Sequence, residues 1–311
     1  MAAVTPGNFQ LKQLIPALKF RAGVLASVRA YCDSRGYCEV ETPVGVIAPA
    51  AEEYIESPRA GDFFLRTSPE LQMKRLLCMG LEKMYQLGPC FRAGENGSRH
   101  RSEFTMLEWY QAHATYRDAL EFFTGLVRRA AHDANDSGTI TFRGETIDLD
   151  APWEIISVRE AFRKFAGKNA DELAEEEGLF ELILTEQVEP ALPKDRACVL
   201  MDYPVRFGAF ARQKADDPTL VERWEAYIGG IELANTYGEL TDPLIQRERF
   251  EKFSQTRREQ GLAEYPEPLE FLDAIDSGMP DATGGAMGFD RLVMLLYGAD
   301  HIGKISYPLD S

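Results

Sequence analysis

The chain has little that would take it out of water. Over 311 residues no apolar run approaches the roughly 18 that a membrane-spanning helix needs. The start, MAAVTPGNFQLKQ, lacks the basic lead and apolar stretch of a secretory signal. Cysteine is sparse: Cys32, Cys38, Cys78, Cys90 and Cys198 are odd in number and unclustered, with no C-x-x-C pair. That spacing suggests neither a zinc site nor a disulfide framework, and reduced core thiols in the cytosol are expected. Positive charge is also short. Lys and Arg total 34 against 50 Asp and Glu, a formal net charge of −16. Non-specific nucleic-acid binding draws on cations that neutralise phosphates. A global footprint of that kind is missing, although a local basic patch can still hold a phosphate or an acidic protein. Repeats and low-complexity tracts are absent. The expectation is a cytoplasmic protein with no membrane association.

What is present reads as a mostly antiparallel pattern. Residues 16–35 have helical spacing, with Leu18, Leu25, Val28 and Cys32 near one face and Gly36 as the stop. YCEVETP alternates as a strand ending at Pro43. FFLRTSPELQMKRLLCMG predicts a short strand, a Ser-Pro-Glu turn and a helix from Pro69. KMYQLGPCFR and EFTMLEWYQA predict a long hairpin through a polar loop. Residues 116–134 read as a helix, 135–147 as loop and short strand, and 170–188 as an acidic, solvated helix. RACVLMDYPV is a strand, and WEAYIGGIELANTYGEL a second one with a polar end. An amphipathic helix covers 242–261, and ATGGAMGFDRLVMLLYG runs from a glycine-rich strand into an apolar helix. Strands do not alternate regularly with helices, so a doubly wound sheet is disfavoured. The expected fold is α+β, a mostly antiparallel sheet flanked by helices. It would form one domain over residues 1–311, with a helical insertion at 150–195.

Three constellations carry chemistry. In FRAGENGSRHRSEFTMLEWY, the side chains of Arg92, Arg99, His100 and Arg101 fall within ten residues of a strongly acidic chain. They can grip a polyphosphate, with Phe104 offering a flat face to a purine; a solvated hairpin tip is the competing reading. In GIELANTYGEL, Glu232 and Glu239 stand seven apart. They can converge on a magnesium ion or be ordinary surface glutamates, but Ile231 and Leu233 crowd Glu232 and imply a half-buried carboxylate that needs a partner. In GGAMGFDRLVMLL, the glycines allow a ligand to approach the strand backbone. Arg291 heads the following helix, where a cation opposes the dipole and calls for an anion, be it Asp290 or a ligand.

Together these stretches resemble the three signature motifs of class II aminoacyl-tRNA synthetases. RGYCEVETP resembles motif 1, the dimer-forming helix and strand; FRAGENGSRHRSEFTMLEWY resembles motif 2; GGAMGFDRLVMLL resembles motif 3. The lysyl branch is nearest, through SPELQMKRLL, EFTMLEWY and GIELANTYGEL. Motif 1 arrives early, without room for the anticodon-binding barrel of lysyl-tRNA synthetases, so the chain looks like the elongation factor P–lysine ligases. That family activates lysine, preferably (R)-β-lysine, with ATP. It then acylates the ε-amine of a lysine on elongation factor P, a protein shaped like tRNA. Ser68 stands where synthetases usually have Ala, and Ala286 where they usually have Gly.

The resemblance implies site roles. Arg92 would grip the α-phosphate, Arg291 the γ-phosphate, and Phe104 would stack on adenine. Glu95, His100, Arg101, Leu233 and Gly288 would complete the ATP site, and Glu232 and Glu239 would hold Mg2+. Ser68, Pro69, Glu70, Glu108, Tyr110, Asn235, Glu239 and Ala286 would line the amino-acid pocket. Gly94 departs from the motif's usual Glu, and Arg101 from its usual Asn. The expected partners are lysine or (R)-β-lysine, elongation factor P and a second copy of the chain, with no stable tRNA binding. Two other readings are a lysyl-tRNA synthetase-like ligase acting on tRNA or a small amine, and a non-catalytic amino-acid sensor. The first predicts that α-lysine is activated at least as well as β-lysine, the second that the phosphate ligands are damaged.

Overall fold

A computed structural model describes residues 6–50, 55–176 and 178–307, so the first five and last four residues lie outside it. Helix α1 (Pro6–Ser34) buries Ala17, Val24, Val28, Tyr31 and Cys32. It begins at Pro6 rather than at residue 16, which leaves Pro16 inside it. Pro16 is exposed, so water can serve the carbonyl that loses its donor there. Gly36, at φ +77°, ends the helical segment as expected.

Eight strands form the main sheet: β1 (Cys38–Glu39), β2 (Lys83–Phe91), β3 (Glu103–Ala112), β4 (Glu154–Ser157), β5 (Cys198–Pro204), β6 (Leu220–Ile228), β7 (Ile231–Gly238) and β8 (Ala282–Gly288). Their order is β1-β2-β3-β8-β7-β6-β5-β4. The outermost pairs, β1–β2 and β4–β5, are parallel, and every pair between them is antiparallel. The α+β fold with a mostly antiparallel sheet is therefore the one observed. β1 is shorter than YCEVETP suggests. Val40 still donates to the Tyr85 carbonyl, but the Thr42 N–H turns to the Gln86 side chain, and Pro43 has no N–H to give.

One face of the sheet is closed by α1, α3 (Tyr116–Asn135) and α6 (Phe289–Tyr297). Thr115 and Asp118 form a capping box that starts α3. Beneath it Trp109 stacks on Phe123 at 5.9 Å between ring centroids, and Phe123 meets Trp224 at 5.5 Å. The buried Trp224 indole donates to the Tyr116 carbonyl at 2.6 Å. On the opposite face run α2 (Glu70–Cys78), α4 (Pro243–Glu259) and α5 (Leu269–Asp276). They frame the floor of an open cleft.

Three expectations need correcting. WEAYIGGIELANTYGEL is a hairpin rather than one strand: Gly229 and Gly230, at φ +59° and +72°, turn β6 into β7. A Gly-Gly pair between apolar runs is the sequence signal for such a turn. Residues 170–188 do not form one solvated helix. Gly178, at φ +69°, interrupts them, and Leu173, Phe180, Ile183, Leu184 and Val188 are buried in a second apolar cluster with Leu200, Val221 and Tyr227. Among the thiols, Cys32, Cys90 and Cys198 are buried, but Cys38 is exposed on the short β1.

The turn between β6 and β7 generates a prediction. A Cβ at Gly229 would sit 2.8 Å from Phe142 Cδ1, in backbone that disfavours L side chains. Gly229→Ala should lower the urea midpoint without changing the slope, a loss of about 1–3 kcal/mol. An unchanged midpoint would contradict the turn geometry.

Candidate active site

Strand alternation builds the cleft floor. On β3, Phe104, Met106, Glu108 and Tyr110 face the cleft, while Leu107 and Trp109 enter the core. Across from them on β8, Gly288 pairs with Met106, Ala286 with Glu108 and Gly284 with Tyr110. Next, on β7, Asn235 pairs with Ala286 and Tyr237 with Gly284. Continuing that alternation would turn Glu232 away from the cleft. A bulge prevents this: Ala226 pairs with Ala234 but Tyr227 with Glu232, which leaves Leu233 as the extra residue. Leu233 and Ala234 both pack into the core, and Glu232 comes round to the cleft side. Leu233 thus borders the cleft through its main chain, its side chain being buried.

Gly284 is required by close approach. A Cβ there would lie 2.2 Å from Tyr110 Cε1 and 2.5 Å from Glu239 Oε1. The resulting cleft measures about 540 Å³. Arg92 and Arg291, brought from distant segments, line the same cleft, as do Glu95, His100, Arg101, Phe104, Glu232 and Gly288. Ser68, Glu70, Glu108, Tyr110, Asn235, Glu239 and Ala286 line it too. Pro69 is not on the wall. It occupies the cap position of α2, where the Glu70 N–H bonds Ser68 Oγ at 2.9 Å.

The cations cluster at the end formed by the β2–β3 loop. The Arg92 guanidinium lies 5.3 Å from the Phe104 ring centroid and 3.9 Å from Glu95 Oε1. Arg291 Nη1 donates to the Glu232 carbonyl at 2.7 Å and lies 3.5 Å from Glu232 Oε2. Its Nη2 stands 2.5 Å from His100 Nε2. Burial, and then the Arg291 charge, lower the His100 pKa, so the ring accepts that bond as the neutral form. Arg101 bonds the Ser306 hydroxyl. Asp290 does not serve Arg291; it takes Arg21 and, at 3.0 Å, the Thr105 N–H.

Carboxylates gather at the other end. Glu108 accepts from Ser68 Oγ at 2.8 Å and from the Tyr110 hydroxyl at 2.5 Å. Burial, with the nearby Glu70 charge, pushes its pKa up to about 8. Glu239 is raised to about 7, again by burial first; the Lys74 charge pulls the other way. Lys74 Nζ lies 2.6 Å from Glu239 Oε2 and also pairs with Glu70.

The pairing of Glu232 with Glu239 on one metal ion does not survive this geometry. Strand β7 separates them by roughly 20 Å, at about 3.3 Å per residue. Among the described residues no group of three or more His, Cys, Asp or Glu stands ready for a metal. Glu232 opens on the cleft beside the cations and can give a carboxylate. Phosphate oxygens of a bound nucleotide would complete the shell, an arrangement magnesium favours.

Sequence reasoning missed Lys74, Arg223, Glu225 and Tyr237. Glu225 Oε2 accepts from the Tyr203 and Tyr227 hydroxyls, each at 2.7 Å, and Oε1 takes Arg223 at 2.5 Å. The signal was available in WEAYI, a Glu inside an apolar strand. Lys74 stands at i+4 from Glu70 on α2, a spacing that pairs charges.

The fold agrees with comparisons to known proteins. Residues 9–310 match the model of the family tRNA synthetases class II (D, K and N), and the chain belongs to that family. It is 36% identical, over 89% of its length, to a lysine–tRNA ligase of Moorella thermoacetica. It is 34% identical over 92% to one of Dehalococcoides mccartyi, and 33% over 96% to one of Thermosynechococcus vestitus. The chain spans 61%, 62% and 64% of those relatives' lengths, respectively.

The raised carboxyls set the pH dependence of stability. Unfolded, Glu108 and Glu239 ionise near the ordinary value of about 4.3; folded, they hold their protons longer. The unfolded chain then binds fewer protons, so this contribution makes the ligand-free protein less stable as pH rises from about 5 to about 8. Glu108→Gln should flatten that decline in urea midpoints measured across the range. A decline as steep as in the parent protein would count against a buried, protonated Glu108.

Proposed function

We propose that this chain activates lysine, preferably (R)-β-lysine, as the adenylate with ATP. It then transfers the lysyl group to the ε-amine of a lysine on elongation factor P. The observation that carries the reading is charge separation along one cleft. Arg92, Arg99, His100, Arg101 and Arg291 gather about Phe104 and Glu232, and Glu70, Glu108 and Glu239 about Tyr110 and Lys74; Arg206, Arg223, Arg249 and Lys252 also line the cleft. A triphosphate suits the first and a diamino acid the second, with the reacting carboxylate between them.

The substrate carboxylate attacks the α-phosphate in line and pyrophosphate leaves. No side chain need act as nucleophile; positioning and charge stabilisation lower the barrier. Arg92 would hold the α-phosphate, Arg291 the γ-phosphate, and Phe104, with Arg92 against its ring, the adenine. Glu232 would hold magnesium, which neutralises phosphate charge. An amine of the acceptor protein then attacks the acyl carbon of the adenylate and AMP departs. Preference for a β-amine is supported by Ala286. Gly284 and Gly288 flank it on the cleft side of β8, so among the β8 residues that line the cleft it alone carries a methyl group there, opposite Glu108 and Asn235, while Ala282 on the same face is packed into the core. By resemblance α1 and β1 would form the interface of a symmetric dimer.

A second reading, acylation of tRNA, is favoured by the names of the relatives. ATP–pyrophosphate exchange with α-lysine, β-lysine or no amino acid, followed by mass measurement of co-incubated elongation factor P and a tRNA charging assay, separates the two. A lysyl mass increment on the protein is expected; charged tRNA without that increment would overturn the proposal. Arg92→Ala and Arg291→Ala should each lower exchange by more than tenfold, at 1.36 kcal/mol per decade. Ala286→Gly should shift preference toward α-lysine, and an unchanged ratio would remove its role.

A further inference from the structure

Lys74 is a buried ammonium that the proposed chemistry leaves unused. Its side chain is 3% exposed, and it lies behind the cleft wall. From α2 it pairs with Glu70 Oε1 on the same helix and with Glu239 Oε2 just beyond β7. Its other neighbours are the faces of Phe210 and Tyr110, with ring centroids at 5.5 and 5.8 Å. The second oxygen of Glu239 lies over Gly284, where the glycine leaves room for it. Glu70 and Glu239 both reach the cleft. Each carboxylate thus gives one oxygen to Lys74 and keeps the other.

With Glu70 and Glu239 both ionised, two carboxylates against one ammonium leave this group one positive charge short, the Arg212 charge acting on Glu239 as a weaker influence. A ligand bearing a single ammonium at that end restores neutrality. A ligand with a methyl group there leaves a buried charge unpaired, which is strongly unfavourable. Without Lys74 the two carboxylates would face each other unscreened, and one would take up a proton. The site could then accept a neutral end group more easily.

We infer that Lys74 is a positioning residue that sets the amino-acid specificity of the cleft, by clamping Glu70 and Glu239 into a cradle for one substrate ammonium. This rests on the lysine-activating reading given above. It is a role in selection rather than in bond making. Lys74→Met should therefore raise KM for lysine without an equal rise in KM for ATP.

The test is ATP–pyrophosphate exchange with lysine (the isomer the parent protein prefers) and with norleucine, in which hydrogen replaces the distal amine and the chain ends in a methyl group. The parent protein must first exchange with lysine; if it does not, the lysine-activating reading itself fails. Given that activity, Lys74→Met should raise KM for lysine at least tenfold and KM for ATP less than threefold. The ratio of kcat/KM for lysine over norleucine should fall at least tenfold. Discrimination within twofold of the parent, or equal rises in both KM values, would overturn the inference. Should Lys74→Met not fold, Lys74→Arg and Lys74→Gln decide. The arginine keeps the charge and should keep discrimination within threefold; the glutamine keeps hydrogen bonding alone and should lose it. Equal discrimination by the two, or failure of all three variants to fold, would mark Lys74 as structural and overturn the proposal.

Discussion

A carboxylate taken out of water must be paired, hydrogen-bonded or protonated, and the cleft floor is arranged around that requirement. Three neighbouring glutamates meet it in three ways. Glu108 sits between Ser68 and Tyr110 and keeps its proton to about pH 8. Glu239 stands against Lys74. Glu225 is wrapped by two tyrosine hydroxyls and Arg223. The opposite face is closed largely by apolar side chains such as Trp109, Phe123 and Trp224, with Asp290 of α6 held by Arg21 of α1. The cleft chemistry lies on one side of the sheet, and strand alternation decides which residues take part.

That alternation was legible in the sequence where it is regular. EFTMLEWYQA reads directly as Phe104, Met106, Glu108 and Tyr110 on one side, and β3 delivers them there. The Phe104 ring and the Glu108 carboxyl on the cleft side follow from this one strand. Arg92 and Arg291 were also legible, because a guanidinium at a strand end and another at a helix start both need anions. The phase break at Leu233 was not. A bulge depends on how β6 and β7 settle against a core contributed by distant segments, and local pattern carries no trace of it. Joining Glu232 to Glu239 on one ion requires the chain to break into a turn between them, and β7 instead runs on from Ile231 to Gly238. Lys74 went unassigned for a similar reason, since its second partner comes from the far side of the chain.

The glycines of β8 show how backbone shape and chemistry meet. Gly284 is bare because Tyr110 and the Glu239 carboxylate already fill the space above it. Two positions on, Ala286 keeps its methyl group between Glu108 and Asn235. On the proposed reaction, a difference of one carbon on this floor is the scale at which neighbouring amine positions would be told apart. The stacked aromatic core behind the sheet holds that floor fixed, so little reorganisation is needed when a ligand arrives.

Lys74 also bears on what such a protein must avoid. On the proposed reaction, an acyl-adenylate sits within reach of the protein's own amines as well as the acceptor's. Burial pulls the Lys74 pKa down, but the charges of Glu239 and Glu70 more than offset it, and the group stays protonated well above neutrality. A protonated amine has no lone pair with which to attack a carbonyl. The same ion pairs that order the pocket therefore silence the amine held behind its wall, and on the proposed reaction the activated group is left for an amine that arrives from outside.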